Sequence, residues 1–146
     1  MSEKRKNYYA PMHTAEHILN KTMVNMFGCE RSENCHIERK KSKCDFMLKE
    51  EPTDVQKIEL EKKINEIIDS HIDVKESFVN IEEAIKRFKL HRINTEDNPE
   101  IRIISIGDYD DCPCIGEHVS NTKEIENFRI TTTSFNDGIF RIRFKI

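Results

Sequence analysis

Apolar and polar residues along this chain recur with two different periods, and the changes of period mark its elements. From about His13 to Phe27, the residues Ala15, Ile18, Leu19, Thr22, Met23 and Met26 recur at helical spacing and form one stripe. A second helix is predicted from about Asp54 to Ile72, with Val55, Ile58, Ile64, Ile67, Ile68 and Ile72 on one side. Pro52 and Asp54 mark its start, and His71 falls inside the isoleucine stripe as a partly buried packing residue. A short third helix, Asn80 to Leu90, opens with Asn80 three residues before Glu83, the spacing of a capping box.

Elsewhere the period drops to two. Phe140, Ile142, Phe144 and Ile146 alternate with Arg141, Arg143 and Lys145, which predicts a strand with one core face and one basic face. Asn136–Asp137–Gly138 joins this strand to Phe128–Ser134 as a hairpin. Further strands are expected at Cys35–Arg39, Lys43–Leu48, Ile72–Val79 and Ile101–Ile106. The breaks are loop-like (Gly28 to Asn34, Glu50 to Pro52, Asn94 to Pro99), without repeats or linkers. The expected architecture is a single α+β domain over residues 1–146, a mainly antiparallel sheet packed by two longer helices and one short one.

Composition narrows the picture. The 146 residues are 35% charged and 36% hydrophobic, with enough isoleucine and phenylalanine to exclude wholesale disorder. No apolar run approaches the ~18 residues of a membrane span, and the N-terminal lysines and arginine lead into no apolar signal region. A cytoplasmic protein with no membrane partner is expected. The net charge is −3, so a nucleic-acid partner needs a local patch. Three basic clusters qualify, or are simply solvated faces: Arg39, Lys40, Lys41 and Lys43; Lys86, Arg87, Lys89 and Arg92; Arg141, Arg143 and Lys145. Five cysteines, an odd number without an export signal, point to metal binding or plain burial rather than disulfides.

Two short motifs carry chemistry. His13-Thr-Ala-Glu-His17 puts two imidazoles on one side of the first helix, almost opposite its apolar stripe and therefore off the core face. Such a pair is spaced to share one ion, although pairs at this spacing also arise by accident. Cys114-Ile-Gly-Glu-His118 offers a thiolate and an imidazole across a tight loop containing Gly116. Together the motifs supply His13, His17, Cys114 and His118, a full tetrahedral set for one zinc ion per chain. A zinc protease is excluded, because its H-E-x-x-H needs a glutamate where Thr14 stands.

At these residues the chain resembles the editing domain of alanyl-tRNA synthetase and its short free-standing relatives, and more distantly that of threonyl-tRNA synthetase. The resemblance rests on HTAEHIL and, about a hundred residues later, CIGEHVSNTKEIENFRI. Lys43-Cys-Asp45-Phe46, Ile81-Glu-Glu-Ala84 and Arg102-Ile-Ile-Ser-Ile-Gly-Asp108 extend it over nearly the whole chain. Ile115 and Glu117 depart from the cysteine-glycine-glycine-threonine-histidine loop common in the alanyl family.

The resemblance implies a free-standing hydrolase that deacylates mischarged Ser- or Gly-tRNA carrying the alanine identity, with zinc as cofactor and tRNA as partner. The alternative is a zinc-stabilised RNA-binding or interaction module of the same fold without hydrolysis. Glu117, next to a ligand, is the candidate catalytic carboxylate. Thr14, Cys35 and His36 are candidates for the amino-acid pocket, and Arg141, Arg143 and Lys145 for the tRNA surface. Cys112 reads as a spare ligand or a core thiol.

Overall fold

The computed structural model describes residues 9–88 and 100–146. Its first element is helix α1, Ala10–Phe27, with Pro11 in the first turn, where a missing N–H costs no helical hydrogen bond. Two short strands follow, β1 (Asn34–His36) and β2 (Ser42–Met47), then helix α2 (Asp54–Asp69). A full capping box starts α2, with Thr53 accepting from the Gln56 N–H and Gln56 returning to the Thr53 N–H. Next come β3 (Val74–Asn80), helix α3 (Ile81–Arg87), β4 (Glu100–Ile106) and β5 (Asp110–Pro113). A 3-10 turn at Thr122–Glu124 leads to β6 (Arg129–Asn136) and β7 (Ile139–Lys145).

The strands form two antiparallel sheets, ordered β1-β2-β7-β6 and β3-β4-β5. The class is α+β, as the patterning predicts, but the strands divide between two sheets, and β5 and the 3-10 turn have no counterpart in the expected elements. The β6–β7 hairpin closes through Asp137 and Gly138, both at positive φ (52° and 79°). That is the combination a two-residue turn needs to match the strand twist.

The main core lies between the inner face of the first sheet and helices α1 and α2. Phe46, Phe140, Ile142 and Phe144 from the sheet meet Met12, Ile18, Leu19 and Met23 of α1, with Leu60, Ile64 and Ile68 of α2. Full burial of such side chains contributes roughly 1.5–3 kcal/mol each. A smaller cluster of Ala84, Ile101 and Ile103 joins α3 to the second sheet.

Two expectations for α2 fail. Val55 and Ile58 are 72% and 70% exposed, because only the half of the helix from Leu60 onward lies over the core. His71 is exposed and stands at φ 52°, beyond the end of the helix at Asp69 rather than in its stripe. The buried Thr122 hydroxyl, which accepts from the Ile72 N–H and donates to the Ile68 carbonyl, ends the helix there. Asn80 caps α3 as predicted, through the Glu83 N–H. The helix ends at Arg87, short of the expected Leu90, because Phe88 is already extended; the break at 94–99 and the cations Lys89 and Arg92 lie outside the described residues.

Candidate metal centre

Helix α1 presents His13 and His17 one turn apart, and both are buried, at 4% and 3% exposure. The expectation of a pair off the core is corrected. The side of α1 opposite the apolar stripe is covered by a second, polar layer, made by β5 and the loop that follows it. Cys114 leaves β5 into this loop, and His118 closes it.

The loop is shaped by Arg102 of β4. Its Nη1 donates to the carbonyls of Cys114 (2.9 Å) and Gly116 (2.8 Å), while its Nε donates to Glu76 at 2.6 Å. Gly116 is required by contact: a Cβ there would lie 2.3 Å from Cε1 of His13. Any side chain would displace the imidazole.

The result is a compact group. One ligand atom from each of His13, His17, Cys114 and His118 lies within 4.8 Å of the others. Cys114 Sγ is 3.4 Å from His13 Nε2 and 3.5 Å from His118 Nε2. Those are the edge lengths of a tetrahedron with metal–ligand bonds of about 2.0–2.3 Å. The His13 and His118 rings stack at 4.2 Å, with His17 edge-on to both.

The remaining ring nitrogens set the tautomers. His13 Nδ1 donates to the Glu117 carbonyl at 3.1 Å, and His118 Nδ1 shares a hydrogen bond with Thr14 Oγ1 at 2.9 Å. Thr14 also accepts the Val119 N–H, so its hydroxyl is committed to the loop. In His13 this leaves Nε2 with a lone pair facing Cys114, and His118 turns its own Nε2 to the same thiol. His17 Nδ1 is buried without a hydrogen bond, 3.8 Å from Oδ2 of Asp110. Arg31 grips that carboxylate with two bonds, at 2.7 and 3.2 Å.

Burial keeps every donor in its uncharged form. It pushes His13 down to about 4 and, with His13 and Arg102 adding to it, His118 down to about 3. His17 is lowered well below the ordinary range by the same cause. Burial also pushes the Cys114 thiol up to about 11. Three neutral imidazoles, one thiol that needs a cation to ionise, and an orphaned ring nitrogen fit a zinc-like ion. Cys112 stays outside the group, its thiol raised to about 12 by burial.

The other predicted site residues are scattered. Glu117 contributes its carbonyl, and its side chain is exposed. Cys35 pairs directly across the strands with Cys44, Sγ to Sγ 2.7 Å, and His36 is exposed and hydrogen-bonded to Glu38. Arg141 is not a free cation: it forms a bidentate pair with Asp45 at 2.7 and 2.9 Å. Arg143 is exposed and Lys145 half-buried on the outer sheet face.

Asp110, Arg31, Arg102 and Glu16 are missed by reading the sequence. The Glu16 carboxylate lies 3.9 Å from His13 Nε2. Its position three residues after His13 was the available signal, since i, i+3 side chains are neighbours on a helix.

The chain is similar in sequence to known proteins. The family described as "Threonyl and Alanyl tRNA synthetase second additional domain" matches residues 101–143. The chain is 27% identical over 146 aligned residues to an alanine–tRNA ligase of Mycoplasma capricolum, covering 98% of this chain and 16% of the ligase. It is 30% identical over 132 residues to that of Caldicellulosiruptor saccharolyticus (89% of this chain, 15% of the ligase). For Treponema denticola the figures are 29% over 133 residues, with 90% and 22% covered. The chain thus spans a small part of each ligase. Among the described residues no helix is long and apolar enough to cross a membrane.

Proposed function

We propose that this editing-domain-like relative of the alanyl-tRNA synthetases is a free-standing deacylase that hydrolyses the ester of Ser- or Gly-tRNA(Ala). Residues 1–146 form its one catalytic unit, acting in the cytoplasm. The observation that carries the reading is the convergence of His13 and His17 from α1 with Cys114 and His118 from the loop after β5. Cys114 and His118 lie within the residues matched by the family, 101–143, and HTAEH and CIGEH are the segments on which the resemblance rests.

In this reading the four residues hold one zinc ion, which when bound polarises a carbonyl or lowers the pKa of water. Thr14 and the Glu117 carbonyl orient His118 and His13 from behind. Asp110, gripped by Arg31, faces His17 Nδ1 at 3.8 Å without a hydrogen bond. Thr14 therefore acts on the donors rather than on the substrate hydroxyl. Two carboxylates are candidates: Glu16, 3.9 Å from His13 Nε2, and Glu117, whose side chain stands exposed on the loop. Either would accept a proton from the attacking water or pair with the substrate's ammonium group, as general acid–base residues do. Cys35 and His36 are the weaker part of the proposed pocket, since each already has a partner.

The selectivity has a physical basis. A synthetase site shaped for alanine rejects glycine and serine poorly, whereas a second site that hydrogen-bonds the serine hydroxyl leaves polar groups unpaired with alanine.

The second reading is a zinc-stabilised RNA-binding module. Four protein donors fill a tetrahedron and match a structural site, which favours it. Deacylation of Ser-tRNA(Ala) against Ala-tRNA(Ala) by the zinc-loaded protein separates the two. The hydrolase releases serine far faster than alanine. Absence of any release, with zinc bound, leaves the module.

A further inference from the structure

The outer face of the four-stranded sheet carries cations where neighbouring strands ordinarily place opposite charges. Lys43 of β2 stands directly across from Arg143 of β7. Arg129 of β6 stands across from Lys145 of β7. Like charges directly opposed on a sheet are destabilising.

Two residues along, the same face does the opposite. Asp45 faces Arg141 and neutralises it, and Asn34 donates to the same carboxylate at 3.0 Å. Among the described residues, the cations of this face that form no ion pair therefore lie at one end of it. There Arg129 and Arg143 are exposed and Lys43 and Lys145 half-exposed.

That end continues into a cavity. A hollow of about 290 Å³ is lined by Arg39 and Lys40, from the turn between β1 and β2, and by Ile146, which follows Lys145. Its other walls are Tyr9 and Pro11, at the start of α1, with Glu124 and Glu126 opposite. The Arg39 guanidinium lies 4.6 Å over the Tyr9 ring, a platform of the kind on which an unpaired base stacks. Pro11 is two residues before His13. A polyanion lying on the sheet end would thus lead towards the helix that carries the donors.

We infer that the like-charged pairs Lys43/Arg143 and Arg129/Lys145 form the docking surface for the phosphate backbone of an RNA, with Arg141 excluded from it. The inference deepens the proposed function by naming the surface that would hold the tRNA, and its test is independent of catalysis. Phosphates between the opposed cations remove the repulsion, and the hollow accepts a single-stranded end.

The probes are uncharged tRNA, phosphatidylserine vesicles and a seryl-adenosine ester, each with the zinc-loaded full chain. Lys43→Ala/Arg143→Ala and Arg129→Ala/Lys145→Ala should each lower tRNA affinity about tenfold or more at physiological salt. Each should also flatten the salt slope by roughly 1.5. Arg141→Ala should leave affinity within about twofold, by the same phosphate-contact logic. Removing the repulsion should leave the thermal midpoint of both double variants at or above that of wild type. Unchanged tRNA affinity in both double variants overturns the surface. A lowered midpoint overturns the repulsion argument, and vesicle binding as tight as tRNA binding overturns RNA as the partner. Hydrolysis of the small ester should be the same in all variants. If wild type binds tRNA through these pairs but cleaves no ester, the surface stands and the hydrolase reading falls.

Discussion

His13 lies against Gly116 so closely that the glycine's missing side chain is part of the imidazole's seat, a Cβ there falling 2.3 Å from Cε1. Gly116→Ala should therefore push His13 out of line with Cys114. An overpacked methyl group of this kind costs about 1–3 kcal/mol. A lower thermal midpoint with a weakened cobalt(II) charge-transfer band is the expected pair of readouts; an unchanged spectrum would show the loop simply moving aside.

Metal content tests the donor set directly. Wild type should carry about one zinc per chain by the four-donor logic, and His17→Ala or Cys114→Ser should each lose it on dialysis. Asp110→Asn keeps the shape of the group behind His17 but weakens its hold, and such outer partners are typically worth about 10–100-fold in metal affinity. Full zinc retention in both ligand variants would dismiss the site.

Zinc binding should release a single proton near neutral pH. The histidines are already neutral, with His13 near 4 and His118 near 3, whereas Cys114 near 11 must give up its proton to ligate. Affinity should then rise about tenfold per pH unit between about pH 6 and 8, by linkage. Calorimetry in buffers of different ionisation enthalpy counts the protons. Two or more would mean the imidazoles are charged before binding.

Metal-free protein should lose stability in mild acid. The folded pKa values of His13 and His118 lie below the unfolded value of 6.5, so the unfolded chain binds more protons. Their contribution is complete above about pH 6.5 and declines as pH falls towards the folded values. Asp110, whose carboxyl burial pushes up, opposes this loss at the acid end. Chelator-treated protein unfolded in urea between pH 7.5 and 4.5 should show the decline; a flat profile would mean the rings are solvated.

The two candidate carboxylates can be told apart by isosteric change. Glu117→Gln and Glu16→Gln should both keep zinc. A general acid–base residue contributes about 10²–10⁴-fold, so whichever serves should lower serine release by at least the smaller factor. Wild-type rates in both would leave neither with a catalytic role.

What could be read from the sequence depended on how local the cause was. The His13/His17 pair, the Asn80 cap and the Asp137–Gly138 turn are set by spacings of a few residues, and each was legible. The Asp45–Arg141 pair was not, because its partners are 96 residues apart and meet only through the β2–β7 register. The same holds for Arg31 and Asp110, which are 79 residues apart. His71 and the exposed Val55 and Ile58 were misread for another reason: periodicity gives a stripe, not how much of the stripe overlaps its neighbours. Glu16 and Arg102 stood within quoted motifs, but their roles depend on a loop whose path the motif does not encode.

His13 and Cys114 are 101 residues apart, so one half of the metal group is synthesised well before the other. At a ribosomal rate of about 5–20 residues per second, the first histidines wait several seconds for their partners. During that interval an ion would find only two adjacent imidazoles on a helix. Secure capture must follow closure of the second sheet, when Arg102 of β4 draws the β5 loop onto α1. Zinc uptake would then report the end of folding rather than its beginning, and a pulse of radioactive zinc given to stalled nascent chains of increasing length would time that event.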